Sequence, residues 1–143
     1  MAKPALKIEP QQYRSRLEKK IADQLAAEGI EYEYESFKVT YTVPSREAKY
    51  LPDFPVADRT ILLEGKGWFK ASDRKKLIDI RASHPDIDIR LVFQNAQNKI
   101  YKGSPTSYAK WCDDHGFLWC DKGTIPTHWI KELRQRAAKK KRR

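Results

Sequence analysis

Residues 60–66, Thr-Ile-Leu-Leu-Glu-Gly-Lys, constrain the fold more than any other stretch of the chain. Three consecutive aliphatic residues imply a strand buried on both faces, which requires packed layers above and below it. Side chains alternate along a strand, so Glu64 and Lys66 project from the same face at its end. Gly65 keeps the opposite face small, which suits close packing or the approach of another backbone segment there.

A second carboxylate, Asp53, lies in Leu51-Pro52-Asp53-Phe54, with ten residues between it and Glu64. A carboxylate beside an extended segment, followed by Glu-x-Lys, is how metal-dependent nucleases of the PD-(D/E)xK type hold their chemistry. Hard divalent cations such as Mg²⁺ prefer oxygen ligands, so Asp53 and Glu64 are candidate metal ligands. A cation so held activates water and neutralises charge that builds on a phosphate. Lys66 would orient the attacking water or stabilise a phosphate oxygen. A second metal needs a further carboxylate, and Glu18 is the candidate. The same spacing recurs by chance in charged proteins, so a solvated strand end with ordinary surface charges stands as the competing reading.

The 143 residues fit one domain with a real hydrophobic core. A net charge of +10 favours a polyanionic partner. Residues 134–143 hold seven basic residues and no acid. They are expected to form a basic flexible tail behind a single domain of residues 1–133. Cys112, His115 and Cys120 raise the idea of a zinc site, but no fourth ligand has familiar spacing, and two free buried thiols are the favoured reading. No apolar run approaches membrane-spanning length and the N-terminus has no signal pattern, so a soluble protein of a reducing cytoplasm is expected.

The pattern along the chain predicts a mixed α/β arrangement. A helix is predicted over 11–28, with Tyr13, Leu17, Ile21 and Leu25 as its apolar stripe, Gly29 as its stop and Glu18 at the border of the buried face. A strand over 31–43 changes phase at Glu35-Ser36, which predicts a bulge or sharp bend. Residues 44–49 read as a polar connection. Residues 50–56 form a short extended piece that Pro52 and Pro55 keep out of a sheet centre. A turn at 57–59 leads into the strand at 60–66. Then follow a helix over 72–83 capped by Ser72, a strand over 88–93 and a helix over 105–115 opening at Ser104 and Pro105. A strand at 116–119 and a helix over 126–136 complete the chain.

The chain resembles the endonuclease I family of T-seven-like bacteriophages, the Holliday-junction resolvases. The residues that carry the resemblance run in order from the first helix to the last. They include Tyr13-Arg14-Ser15-x-Leu17-Glu18, Glu33-Tyr34-Glu35, Pro52-Asp53-Phe54, Glu64-x-Lys66-Gly67 and Asp73-Arg74-Lys75-Lys76. They continue through His84-Pro85, Asp88-Ile89-Arg90, the distinctive stretch at 101–108 (Tyr-Lys-Gly-Ser-Pro-Thr-Ser-Tyr) and Pro126-x-x-Trp129-Ile130-Lys131.

The resemblance implies a restriction-endonuclease-like domain in an intertwined, segment-swapped homodimer. It implies paired nicks across four-way DNA junctions with Mg²⁺, with Mn²⁺ substituting and Ca²⁺ binding without supporting cleavage. Glu18, Asp53, Glu64 and Lys66 fall on the family's catalytic positions, with Glu18 supplied across the dimer. Glu33 falls on a weaker acidic position, either catalytic support or a strand salt bridge. The connection at 44–49 aligns with the bridge between exchanged halves. The implied setting is the cytoplasm of an infected or lysogenic bacterial host. Arg14, Arg16, Arg74, Lys75, Lys76, Lys99 and Lys102 are candidate DNA contacts, each by default a solvated charge. This chain departs from the family in a longer Asp53–Glu64 loop containing Pro55 and Asp58-Arg59, and in Gly65 where a β-branched residue is expected. Two other readings compete: a duplex-cutting nuclease of the same superfamily, and a non-catalytic branched-DNA-binding module.

Overall fold

The computed structural model describes residues 13–43 and 46–141. In chain order these form α1 (Arg16–Ala27), β1 (Val39–Val43), β2 (Arg46–Tyr50), β3 (Phe54–Val56) and β4 (Ile61–Lys66). After them come α2 (Ala71–Ser83), β5 (Ile89–Phe93), α3 (Tyr108–His115), β6 (Leu118–Cys120) and α4 (Thr127–Lys141). The main sheet has the order β3-β4-β5-β6, antiparallel at β3–β4 and parallel in the other two pairs. The predicted mixed α/β sheet flanked by helices is therefore present.

The aliphatic run in β4 is buried on both faces, and its alternation divides the core. Leu62, Leu91 and Phe93 pack with Leu77 and Ile80 of α2, Trp111 of α3, Tyr41 of β1 and Tyr50 of β2. Ile61, Leu63 and Val92 face Leu17, Ile21 and Leu25 of α1, together with Trp129, Ile130 and Leu133 of α4. On that second face a Cβ at Gly65 would lie 2.8 Å from Ile21 Cδ1, so the missing side chain is the space that Ile21 occupies. Gly65 thus seats α1 on the sheet.

Several boundaries differ from the sequence expectation, each for a local reason. Helix α1 starts at Arg16 because the Ser15 hydroxyl accepts from the Glu18 amide, an N-cap that leaves Tyr13 outside the helix. Residues 31–43 are not one strand. Tyr32 makes an isolated bridge to Val56, Glu35 takes a positive φ of 49°, and β1 begins only at Val39. The phase slip read at Glu35-Ser36 is this bend. The polar stretch at 44–49 is largely strand: residues 46–49 belong to β2, which pairs antiparallel with β1, while residues 44 and 45 lie outside the described part.

Helix α2 begins after Lys70 rather than Ser72, since the Asp73 carboxylate reaches back to the Lys70 amide. Helix α3 begins after Ser107, whose hydroxyl accepts from the Lys110 amide; Ser104 and Pro105 belong to the preceding loop. The basic run does not leave the body at residue 134. Helix α4 continues to Lys141, with Arg134 paired to Glu28 at 2.7 Å and Arg136 to Glu132 at 3.0 Å. Glu28 just past α1 and Glu132 one turn earlier in α4 offset the first two charges of the run. No helix among the described residues is long and apolar enough to cross a membrane.

Arg90, one of the few buried charged residues, ties β5 to α4. Its guanidinium donates to both oxygens of Asp88 and both of Glu132 at 2.8–3.0 Å and lies over the Trp129 ring. The Arg90 hydrogen bonds hold the Glu132 carboxyl below its usual range.

Two stability predictions follow from this packing. Gly65→Val should cost about 1–3 kcal/mol through overpacking against Ile21, and adding Ile21→Val should recover part of it; urea unfolding of both variants measures this. Arg90→Met should cost about 1–3 kcal/mol by removing the buried guanidinium that both carboxylates share, leaving them only Arg136. The Glu132 contribution exists above its unfolded pKa and is lost as pH falls through the lower folded value. The gap between wild type and Arg90→Met should therefore narrow below about pH 4, which melting curves across pH would reveal.

Candidate active site

Four segments bring acidic side chains to the end of β4. Glu64 and Lys66 share the face of Leu62, as their spacing requires. Asp53 stands just before β3, and its Oδ2 accepts the Gly65 amide proton at 3.1 Å, which fixes this carboxylate to the strand that carries the others. Glu18 comes from the first turn of α1. Its Oε1 accepts from the Arg14 amide at 2.9 Å and from the Tyr34 hydroxyl. In the single chain Glu18 therefore reaches the site from the chain's own helix.

Glu35 joins them. Its backbone amide donates to the Asp53 carbonyl at 3.2 Å, and its carboxylate pairs with Arg14 Nε at 3.2 Å. Glu18, Glu35 and Asp53 each offer an oxygen within 4.8 Å of the others. Sequence reasoning did not select Glu35. The usable signal was the phase change at that residue, because the left-handed bend there sets Glu35 apart from the alternation it would share with Glu33. Glu33 instead forms a fork with Arg59, at 2.9 and 3.0 Å, and accepts from Ser36, so of its two readings the salt bridge describes its contacts.

The electrostatics of the site are unbalanced. Burial and the neighbouring Glu18 charge push the Asp53 carboxyl up to about 7. Burial and Asp53 push Glu64 well above the carboxylate range, and Glu64 Oε2 is buried without a hydrogen-bond partner. A carboxyl raised in this way stabilises the fold below its unfolded pKa, and that contribution is lost as pH rises through about 7 for Asp53. Such a site favours a bound cation. Carboxylate oxygens are the donor set that hard divalent ions take.

Burial opposes the charge on Lys66, yet Glu64, Asp73 and Asp53 outweigh it and hold its pKa above the ordinary lysine value. Asp73 pairs with Lys66 Nζ at 3.4 Å while capping α2 through the Lys70 amide, so the helix start positions the lysine. This supporting role was not read from the sequence.

The turn at 57–59 joins β3 to the start of β4, the end of the strand away from Glu64 and Lys66. Ala57, Asp58 and Arg59 all have positive φ, of 50°, 57° and 65°, a left-handed run that side chains other than glycine rarely adopt. Arg59 lies over the Phe37 ring at 4.3 Å besides holding Glu33. Pro55 sits in β3, the sheet edge, where a missing donor is tolerated.

The candidate DNA contacts separate by what they already hold. Arg74 donates to the Phe69 carbonyl at 2.8 Å and the Ile100 carbonyl at 3.3 Å, so its guanidinium is engaged within the fold. Lys75 pairs with Asp79, and Lys76 lies over the Tyr50 ring. The Arg14 guanidinium is largely exposed despite its pairing with Glu35. Arg16, Lys99 and Lys102 are exposed. Cys112 and Cys120 are free buried thiols in different halves of the core, and burial pushes each up to about 12. His115 Nδ1 bonds the Trp111 carbonyl at 2.8 Å, so these three residues are held by packing and backbone contacts.

The sequence matches the family model described as phage endonuclease I over residues 1–142. Endonuclease I of Escherichia phage T7 is 48% identical over 120 residues, covering 84% of this chain and 79% of that protein. Endodeoxyribonuclease 1 of Enterobacteria phage T3 is 46% identical over 120 residues, covering 84% of this chain and 78% of its own length. With a family match along nearly its whole length and relatives of this similarity, the chain belongs to the phage endonuclease I family.

Proposed function

We propose that this protein is a Mg²⁺-dependent endodeoxyribonuclease, with a restriction-endonuclease-like sheet, that resolves four-way and branched DNA junctions by paired cuts. The observation that carries the reading is the acidic cluster of buried Glu18 and Asp53 with half-buried Glu35, beside Glu64, whose inner oxygen has no partner, with a charged Lys66 on the same strand. Relatives named endonuclease and endodeoxyribonuclease supply the reaction class.

Asp53, Glu64 and Glu18 would hold the cation, with Glu35 in reach of the same position. When bound, Mg²⁺ supplies Lewis-acid stabilisation of phosphate charge and a more acidic water. The chain's own residues do the rest. Lys66, oriented by Asp73, donates to a phosphate oxygen or to the attacking water. Water oxygen bonds to phosphorus and gives up one proton to solvent, while the bond from phosphorus to the leaving deoxyribose oxygen breaks and that oxygen takes one proton from solvent. The acidic cluster lies near the Arg14 guanidinium, which would meet the backbone of an arm.

The working unit in this proposal is a homodimer with exchanged segments. Two-fold symmetry gives two sites at a fixed separation, which suits paired cuts. Opening the β1–β2 pairing would let α1 and β1 dock on the partner with the same contacts that they make within one chain. Glu18 would then complete the partner's site. Junction choice would rest on shape and phosphate contacts, which carry little base information.

With Mg²⁺ the protein should nick a four-way junction at paired positions and cut a matching linear duplex far more slowly; equal cutting of both would favour the duplex-cutting reading. Lys66→Ala should lower kcat by about 10²–10³, and Asp53→Asn should abolish cutting. In metal-free buffer at pH 8, Asp53→Asn should melt above wild type, because it removes a buried charge. Mg²⁺ should raise the Tm of wild type and not of Asp53→Asn. Co-refolding Glu18→Ala chains with Asp53→Ala chains should restore one intact site per mixed dimer and so restore nicking. No restoration would mean that Glu18 serves its own chain.

A further inference from the structure

Beyond the catalytic quartet, the end of β4 carries an aromatic side chain that the fold leaves in solvent. Trp68 is 74% exposed, the most exposed of the large hydrophobic residues among those described, and lies two positions past Lys66. Its neighbour explains its direction. Phe69 is wholly buried, ringed by Phe93, Tyr108 and Trp111 with centroids 5.1–5.6 Å away, and its amide donates to the Tyr108 hydroxyl. Fixing Phe69 inward leaves Trp68 outward on a short, anchored piece of chain. Lys70 Nζ lies 5.3 Å from the Trp68 ring centroid, so the indole carries a cation at its face.

A second exposed aromatic stands on the adjoining segment. Tyr101 is 61% exposed in the loop between β5 and α3. That loop is pinned by the Lys99–Ser107 bridge, by the Ile100 amide on the Thr106 carbonyl at 3.0 Å and by the Ser104 amide on the Tyr101 carbonyl at 3.0 Å. Arg74 binds the Phe69 and Ile100 carbonyls together, so one guanidinium clamps the Trp68 segment to the Tyr101 loop. Lys99 and Lys102 lie in the same loop, while the nearby acid Asp73 is spent on Lys66 and the Lys70 amide.

Two exposed rings, each with lysines beside it, on rigid segments next to a nuclease cluster have the chemistry of a surface that stacks nucleobases while holding their phosphates. We infer that Trp68, backed by Lys70 and Tyr101, is a stacking platform for an unpaired or splayed base next to the cut phosphodiester. This rests on the endonuclease reading and adds a positioning element that the acidic cluster lacks. Favouring a base that has left its helical stack, the platform would select branch points over continuous duplex.

The test measures binding of a four-way junction in EDTA, where nothing is cut, and nicking of the same junction in Mg²⁺. Trp68→Ala should bind about 5- to 150-fold more weakly, the loss that removing one stacked base predicts. Trp68→Phe should stay within about threefold of wild type, since a ring remains. Abasic replacement of the nucleotides flanking the cut should weaken wild type by a similar factor at one position and add nothing to Trp68→Ala. Binding by Trp68→Ala equal to wild type, losses from the two changes that multiply, or a loss explained by dissociation of the dimer in sedimentation would overturn the platform. A wild-type protein that cuts no DNA would overturn the endonuclease reading as well, whereas normal cutting by Trp68→Ala would overturn the platform alone.

Discussion

The hydrogen bond from the Gly65 amide to Asp53 joins the two halves of the site, and much of the architecture converges on it. One partner is a backbone amide of a strand paired on both sides, so its position is set by the sheet rather than by a rotamer. The other is a carboxylate that burial and a neighbouring charge make costly to ionise. The amide offsets part of that cost. Gly65 also leaves the space into which Ile21 packs, which seats α1 and so delivers Glu18. One residue without a side chain therefore serves both faces of β4.

The acidic cluster is unfavourable for the folded chain by itself. Buried carboxylates repel one another, and Glu64 keeps an oxygen without a partner. The rest of the molecule compensates through ordinary packing: two apolar layers on the sheet, capped helices, and the Arg90 fork that fastens α4 to β5. A protein organised in this way would gain stability from the proposed cation, so metal binding and folding would be coupled. Lys66 fits the same scheme. Its charge survives burial because three carboxylates surround it, and Asp73 fixes its direction through the start of α2.

The surface around the site is more specific than its net charge suggests. Arg74, Lys75 and Lys76 look alike in sequence, yet they bind backbone carbonyls, an aspartate and a tyrosine ring respectively. The exposed aromatics Trp68 and Tyr101 carry more of the local character than that basic cluster does. Likewise, the run at 134–143 reads as a loose arm by charge, but its first part is helix, with Glu28, Glu132 and Asp88 offsetting its first two charges. Charge density identifies a polyanionic partner and says little about which cations face it.

Sequence by itself determined the central strand, the shared face of Glu64 and Lys66, the edge position of the proline-containing segment, the bend at Glu35 and the family. These features depend on alternation, burial and backbone chemistry within a few residues, which local sequence encodes directly. Tertiary structure decided that Glu35 rather than Glu33 joins Glu18 and Asp53, that Asp73 positions Lys66, that residues 46–50 pair as a strand, and that Arg74 is a clamp. Each of those outcomes depends on partners distant along the chain, and a side chain's role there is set by which neighbour reaches it first. The difference is one of range: the strand that opened the reading specifies its own two faces, while only the packed fold specifies what meets them.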